Sequence, residues 1–152
     1  AQIKIRPIDK KDLVQIESIL KIIGWADQYV SGQLECINTL SARNTGEACV
    51  ATINNVVVGF IQIEHHKWNR LSHIHGLVVH PNYRRLGIAK KLVESVEISS
   101  KNRGNRGIFV DTPVDNLAGR KFYTSIGFAQ GYIMPQFYES ELDGVTFQKF
   151  FE

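Results

Sequence analysis

The stretch from Ser72 to Val96 constrains the fold more than any other part of the chain, because its periodicity changes from strand to helix across one short turn. Ser72 to Val79 reads as a strand closed by Pro81, and Leu86, Ala89, Leu92, Val93 and Val96 recur at helical spacing. The join is His80-Pro81-Asn82-Tyr83-Arg84-Arg85-Leu86-Gly87-Ile88-Ala89. Such a turn leaves backbone N–H groups free at the start of a helix, where the positive end of the dipole also lies, and this combination attracts phosphate oxygens. Gly87 lets a ligand approach the backbone, and Arg84 and Arg85 supply charge for a polyphosphate.

The flanking elements extend the same alternation of strands and helices. Ile3 and Ile5 alternate with polar residues up to Pro7, which predicts a first strand. Asp9 is a helix cap with Asp12 three residues on, and Leu13, Ile16, Leu20 and Ile23 follow helical spacing until Gly24. A second helix is expected from Ala26 to Arg43. Ala48 to Ile53 and Val56 to Glu64 read as a hairpin around Asn54-Asn55, a pair that tolerates left-handed backbone. A strand at Ile108 to Asp111, a helix from Asp115 to Ile126 stopped by Gly127, and a closing strand from Val145 to Phe151 complete the series. The expected fold is α/β, one domain over 1–152, with a mixed sheet and helices on both faces.

Composition bounds the possibilities around this core. The chain has 152 residues, 43% hydrophobic and 22% charged, with 18 basic and 15 acidic residues giving a net charge of +3. That excludes a disordered tail, a coiled coil or a fibre, and is about one domain in length. No apolar run reaches the roughly 18 residues of a membrane span, so no membrane association is expected. The basic and acidic residues are mixed along the sequence, which argues against a nucleic-acid partner. Cys36 and Cys49 form neither a disulfide framework nor a zinc pattern, and a cytoplasmic location is the natural reading. The first residue is Ala1, as after removal of an initiator Met or as a cloning remnant. A monomer or a homodimer is compatible with this composition.

The spacing Arg84-x-x-Gly87-x-Ala89 resembles the coenzyme A pyrophosphate signature of the GCN5-related N-acetyltransferase (GNAT) superfamily, Q/R-x-x-G-x-G/A. Arg43-Asn44-Thr45-Gly46-Glu47-Ala48 fits the same pattern, but it leaves a helix and enters a strand, so context selects Arg84. Thirty residues on, Asn116-Leu117-Ala118-Gly119-Arg120-Lys121-Phe122-Tyr123-Thr124-Ser125-Ile126-Gly127-Phe128 resembles the second hallmark, N-x-x-A-x-x-F-Y-x-x-x-G-F, with a shorter first gap at Asn116-x-Ala118. The run from His73 to Pro81 is similar to the splayed central strand of the family. The resemblance covers roughly residues 56–128.

It implies transfer of an acetyl group from acetyl-CoA to a primary amine of a small molecule or protein, by direct attack in a ternary complex, with no metal. In that reading Arg84, Arg85, Leu86, Gly87, Ile88 and Ala89 hold the pyrophosphate. Leu77, Val78 and Val79 present backbone to the pantetheine arm as to an added strand, and the N–H of Val78 or Val79 is the oxyanion donor. Asn116, Ala118, Phe122 and Tyr123 complete the cofactor side. Tyr123 is the candidate proton donor to the leaving thiolate, since a thiol has a pKa of about 8.5 and a phenol about 10.

The attacking amine must be neutral, and a lysine side chain is so in only about 1 in 2,500 molecules at pH 7. Relatives place a glutamate at the start of the splayed strand where this chain has His73. His73, Glu64 at the end of the preceding strand, and His75 are therefore alternative bases. Trp25, Tyr29, Glu35, His75 and Tyr138 are candidates for the acceptor wall. All five histidines fall between His65 and His80, but no Cys or HExxH spacing accompanies them, so no metal is expected. An acyl group other than acetyl, or a non-catalytic CoA-binding sensor, are the competing readings.

Overall fold

The alternation at the N-terminus becomes β1 (Ile3–Pro7), the first of seven strands in the computed structural model, which describes residues 2–151. Arg6 at its end makes paired 2.8 Å hydrogen bonds to the buried Asp12 carboxylate, which also accepts the Asp9 N–H at 2.7 Å. This knot fixes a single 3-10 turn, Lys10–Asp12, from which α1 (Leu13–Ile23) departs. Gly24 ends α1 at φ 101°, and α2 (Asp27–Arg43) ends at Asn44, also left-handed at φ 53°.

β2 (Gly46–Ile53) and β3 (Val56–His65) form the expected hairpin, with Asn54 and Asn55 at φ 51° and 66°. Positive φ at both turn residues matches the right-handed twist of the strands. Then come β4 (Leu71–Val79), a 3-10 turn Pro81–Tyr83, α3 (Ile88–Asn102), β5 (Gly107–Pro113) and α4 (Leu117–Ser125). Leu86, half exposed, precedes α3 rather than belonging to it.

The C-terminal region differs from expectation. A strand unread in the sequence, β6 (Ala129–Glu139), precedes β7, which begins at Leu142 rather than Val145 and runs to Phe150. β6 hides from periodicity for a physical reason. It is an edge strand, exposed on both faces, it contains Gly131 and Pro135, and its pairing with β7 shifts register twice. An edge tolerates proline because one side of its backbone has no partner.

The sheet order is β1-β2-β3-β4-β5-β7-β6, antiparallel except for the β4–β5 pair. One face packs Ile16, Leu20, Val30 and Ile37 of α1 and α2 against Val50, Phe60 and Val78. The other packs Ile88, Leu92 and Val96 of α3 and Tyr123 of α4 against Ile61, Ile74, Val110 and Phe147. Helices thus cover both faces, as the sequence reading requires.

The feature that positions the site lies between β4 and β5. Their parallel pairing runs only from Leu71–Gly107 to Ile74–Val110, while β4 continues to Val79 and β5 to Pro113. Beyond Ile74 the two strands part. At the same point the β3–β4 register shifts between Gln62 and Ile63, which leaves His75 as the extra residue of a bulge. Gln33 of α2 donates from Nε2 to the His75 carbonyl at 2.6 Å, satisfying the group that the bulge leaves without a ladder partner. The absence of a side chain at Gly76 leaves room for the Gln33 amide, which a Cβ there would displace.

Candidate acyl-transfer cleft

The gap between β4 and β5 exposes backbone whose direction can be read from one hydrogen bond. His80 donates to the Val58 carbonyl at 2.8 Å, so His80 faces β3, and by strand alternation Val78 does too. Leu77 and Val79 therefore turn their N–H and C=O groups into the gap. Of the two oxyanion donors expected from the sequence, the alternation leaves Val79. The Val78 side chain is buried under α1 and α2.

At the end of β4 the chain enters the basic turn. Arg85 and Gly87 sit at φ 65° and 79°, both left-handed, and Gly87 is the N-cap of α3. No side chain caps this helix, and its first intrahelical bond is from Lys91 N–H to the Gly87 carbonyl at 3.1 Å. The N–H groups of Ile88, Ala89 and Lys90 thus have no partner within the helix. A Cβ at Gly87 would meet nothing within 4 Å, so the space above the turn is open. Arg84, Arg85 and Leu86 are exposed around it, while Ile88 is buried and anchors the helix. An uncapped helix start in open space, with two arginines beside it, fits the pyrophosphate of coenzyme A.

The N-terminus of α4 is built differently. Asn116 accepts the Gly119 N–H at 3.1 Å and donates to Thr112 Oγ1 at 3.0 Å, so its side chain serves as a cap. Gly119, not Ala118, stands three residues after Asn116, and a Cβ there would collide with the Asn116 amide. Ala118 is exposed on the first turn of α4, and Phe122 is half-buried against the core. Tyr123 is 6% exposed and packs between Phe147, stacked at a centroid distance of 5.9 Å, and Phe128, tilted at 5.4 Å. Burial raises its phenol well above the ordinary value, which keeps the hydroxyl protonated.

On the α1–α2 side of the sheet, beyond the stretch those helices cover, four groups meet in two pairs, since Ile74 between the two histidines turns to the α3 side. Glu64 Oε1 accepts from His75 Nε2 at 2.8 Å, and Asp111 Oδ2 lies 3.2 Å from His73 Nε2. The two imidazoles lie against each other, with centroids 4.3 Å apart, and His73 stacks flat on Phe109 at 4.2 Å and 7°. An ionised carboxylate can only accept, so in each pair Nε2 keeps its proton and faces the carboxylate, which assigns the tautomer and leaves Nδ1 as a proton acceptor. Burial, then the neighbouring His73, lowers the His75 pKa, with Glu64 opposing. Burial pushes the Glu64 carboxyl up, but the His75 hydrogen bond and the charges of His75 and His66 hold it below its usual value. Asp111 behaves likewise: burial opposes, and hydrogen bonds from His73 and Thr146 lower it.

Asp111, which the sequence reading did not single out, joins this cluster; the available signal was a lone carboxylate following the apolar run Ile108-Phe109-Val110, on the same face as Phe109.

The acceptor-wall candidates separate. Tyr29 of α2 donates to the Tyr138 carbonyl at 3.0 Å and to Glu139 Oε1 at 3.2 Å, tying α2 to β6 across the cleft. Burial, then Asp111, Tyr123 and Tyr29, raises the Tyr138 phenol, which places Tyr138 among these groups. Trp25 instead packs against the α1–α2 core. Glu35 is exposed. It follows Gln33 by two residues, about 200° around the helix, and so faces away from the sheet that Gln33 touches. Among the described residues no group of three or more His, Cys, Asp or Glu side chains could hold a metal ion. No helix there is long and apolar enough to cross a membrane.

This geometry has counterparts in known proteins. Residues 12–128 match the model of the acetyltransferase (GNAT) family. An uncharacterized N-acetyltransferase of Methanocaldococcus jannaschii is 32% identical over 101 residues, covering 66% of this chain and 64% of that protein. N-alpha-acetyltransferase 30 of Schizosaccharomyces pombe is 31% identical over 101 residues, covering 64% of this chain and 67% of its own. The chain thus spans about two thirds of the length of these relatives. The fold of yncA from Salmonella typhimurium, solved with its cofactor acetyl-CoA, superposes with a TM-score of 0.80 at 19% identity, covering 100% of this chain and 95% of the other. With its splayed β4–β5 pair, its open α3 start and a family match over most of its length, this chain belongs to the GNAT acetyltransferase family.

Proposed function

We propose that the protein is an acetyl-CoA-dependent N-acetyltransferase that acts on a primary amine within a ternary complex. The observation that carries this reading is the juxtaposition of unpaired β4 backbone, an uncapped helix start and two histidine–carboxylate pairs around one gap. Acetyl-CoA, when bound, supplies an acyl group activated as a thioester. The N–H groups of Arg84 through Ala89 and the two arginines hold its phosphates. Leu77 and Val79 align its arm as an added strand, and the Val79 N–H donates to the acyl oxygen.

On the acceptor side, Nδ1 of His73 or His75 takes the proton that the attacking amine must lose, and Asp111 or Glu64 steadies the resulting imidazolium. The adjacent imidazoles, 4.3 Å apart, cannot both carry a charge cheaply, so one acts at a time. As the C–N bond forms and the C–S bond breaks, Tyr123 donates its proton to the sulfur. A phenol raised by burial is a weak acid, and it is matched to this task only while a thiolate is forming beside it. The free thiols Cys36 and Cys49 accord with a cytoplasmic location.

The test is thiol release from acetyl-CoA against a panel of spermidine, kanamycin and an alanine-terminated peptide. Tyr123→Phe is expected to lower kcat by roughly 10–100-fold with little change in acetyl-CoA affinity, and Asp111→Asn to lower it comparably. The acid limb of kcat/KM should fall below about pH 6.5, because His75 stays neutral further into acid than an ordinary histidine. Acetyl-CoA at 100 times its Kd should stabilise the fold by about 2.7 kcal/mol. Stabilisation without turnover of any amine would support the sensor reading; no stabilisation at millimolar acetyl-CoA would remove both.

A further inference from the structure

Three connections converge at the end of the sheet remote from the basic turn. The α2–β2 turn is tied to β3 by the 2.7 Å bond from His65 N–H to the Thr45 carbonyl. The β3–β4 turn, 66–70, is tied to the α3–β5 loop by Arg106, which donates from its backbone N–H to Arg70 O at 2.8 Å and from Nε to Asn69 O at 2.9 Å. The end of β7 joins them through the Phe151 N–H, 3.0 Å from the Arg106 carbonyl.

These connections gather charge that is dispersed along the sequence. Arg43, Lys67, Arg70, Lys101, Arg103 and Arg106 all lie here, and segments 41–46, 65–71 and 98–107 contain no acidic residue. None of the six makes an ion pair within 4 Å among the described residues. Glu47, on the α3 side of β2, is coupled in charge to Arg103. All but Arg106 are exposed.

Aromatic surface is interleaved with them. Trp68 is 85% exposed at the tip of the β3–β4 turn, the most exposed large apolar side chain of the described residues. The turn that presents it is fixed, since Leu71 N–H bonds Asn69 Oδ1 at 3.1 Å and Arg70 is held at φ 57°. Phe150 is 48% exposed, and the Arg106 guanidinium lies 5.6 Å from its ring centroid.

The cofactor does not account for this patch. The Arg84 turn follows the far end of β4, whose nine residues span about 30 Å. The cations instead lie along the opposite ends of β2, β3, β4 and β5, about 14 Å at normal strand spacing, and at the end of α3.

We propose that this end of the sheet binds single-stranded nucleic acid, with the row of cations tracking the phosphates and a base stacked on Trp68. A row of charge matches a single-stranded backbone, and an aromatic side chain beside it accepts the face of any base. A bilayer would instead require a contiguous apolar surface, which here is broken by arginines. Mixing of charge along the chain argued against a nucleic-acid partner, but folding sorts those charges in space.

The experiment is fluorescence anisotropy of a fluorescein-labelled 12-mer of uridylate with the full chain at 50 mM and 200 mM salt, with phosphatidylcholine–phosphatidylserine vesicles as the counter-probe. Binding of the RNA that weakens with salt is expected. Trp68→Ala should weaken it roughly tenfold, and Lys67→Glu combined with Arg103→Glu should reduce the slope of log K against log salt by about 1.4. All three positions are exposed, and far-ultraviolet circular dichroism confirms that the variants fold. No RNA binding at about 0.1 mM protein, binding indifferent to Trp68→Ala, or binding to vesicles alone would each overturn the proposal. The assay needs no turnover, so its failure leaves the acetyltransferase reading untouched.

Discussion

Arg43-Asn44-Thr45-Gly46-Glu47-Ala48 and Arg84-Arg85-Leu86-Gly87-Ile88-Ala89 share one spacing of arginine, glycine and alanine, yet the fold uses them in opposite ways. At the first, the glycine leaves a helix and starts β2, and a Cβ on Gly46 would lie 2.5 Å from the Ile63 carbonyl and against Leu40. At the second, the glycine enters α3 at φ 79°, with nothing within 4 Å of where its Cβ would be. One glycine is there because the core has no room, the other because the backbone is left-handed and a ligand can come close. Direction of travel, from helix to strand or into a helix, decides which turn presents N–H groups to solvent.

The largest test of this contrast is a pair of alanine substitutions. Gly46→Ala should destabilise the fold by about 2–3 kcal/mol, since backbone must move to admit the methyl group. Gly87→Ala should cost roughly 1–2 kcal/mol from its left-handed conformation alone, while weakening acetyl-CoA binding. Urea unfolding and calorimetric titration read the two quantities, and equal losses of stability with unchanged affinity would dissolve the contrast. Next in size, Arg84→Ala should weaken acetyl-CoA binding about five- to tenfold, as expected for one exposed charge-assisted contact, and Arg43→Ala should leave it unchanged. Equal effects of the two substitutions would show that net charge, not the turn, governs affinity.

The smallest effect concerns the two helix starts. Asn116→Ala removes the α4 cap and should cost about 1 kcal/mol of stability. Acetyl-CoA affinity is expected to hold, because both polar atoms of that side chain already bond Gly119 and Thr112. A fall in affinity larger than the fall in stability would make Asn116 a ligand contact as well as a cap.

Much of this was legible without coordinates. The hairpin at Asn54-Asn55 and the strand–turn–helix at Arg84 each follow from short-range rules and stand where periodicity puts them, while α4 starts at Leu117, two residues after the expected Asp115, because Asn116 caps it. β6 was not legible, because a strand exposed on both faces leaves no alternation for burial to write. The cleft was half legible. His73, Glu64 and His75 lie close in sequence on two hairpin strands, so their meeting could be expected, whereas Asp111 comes from a parallel neighbour whose register no local signal gives. Where Glu35 and Trp25 lie was not legible, because helical position alone does not say which face of α2, or which side of its entry, meets the sheet.

The sequence by itself determined the local elements, the left-handed turn residues and the supply of donors at the start of α3, since these depend on dihedral preferences and on neighbours a few residues apart. Only the tertiary structure decided where β4 and β5 part, that Gln33 fills the bulge at His75, which carboxylate meets which histidine, and that six scattered cations share one end of the sheet. Those facts depend on pairings between segments far apart in the chain, and such contacts are fixed by packing rather than by local preference.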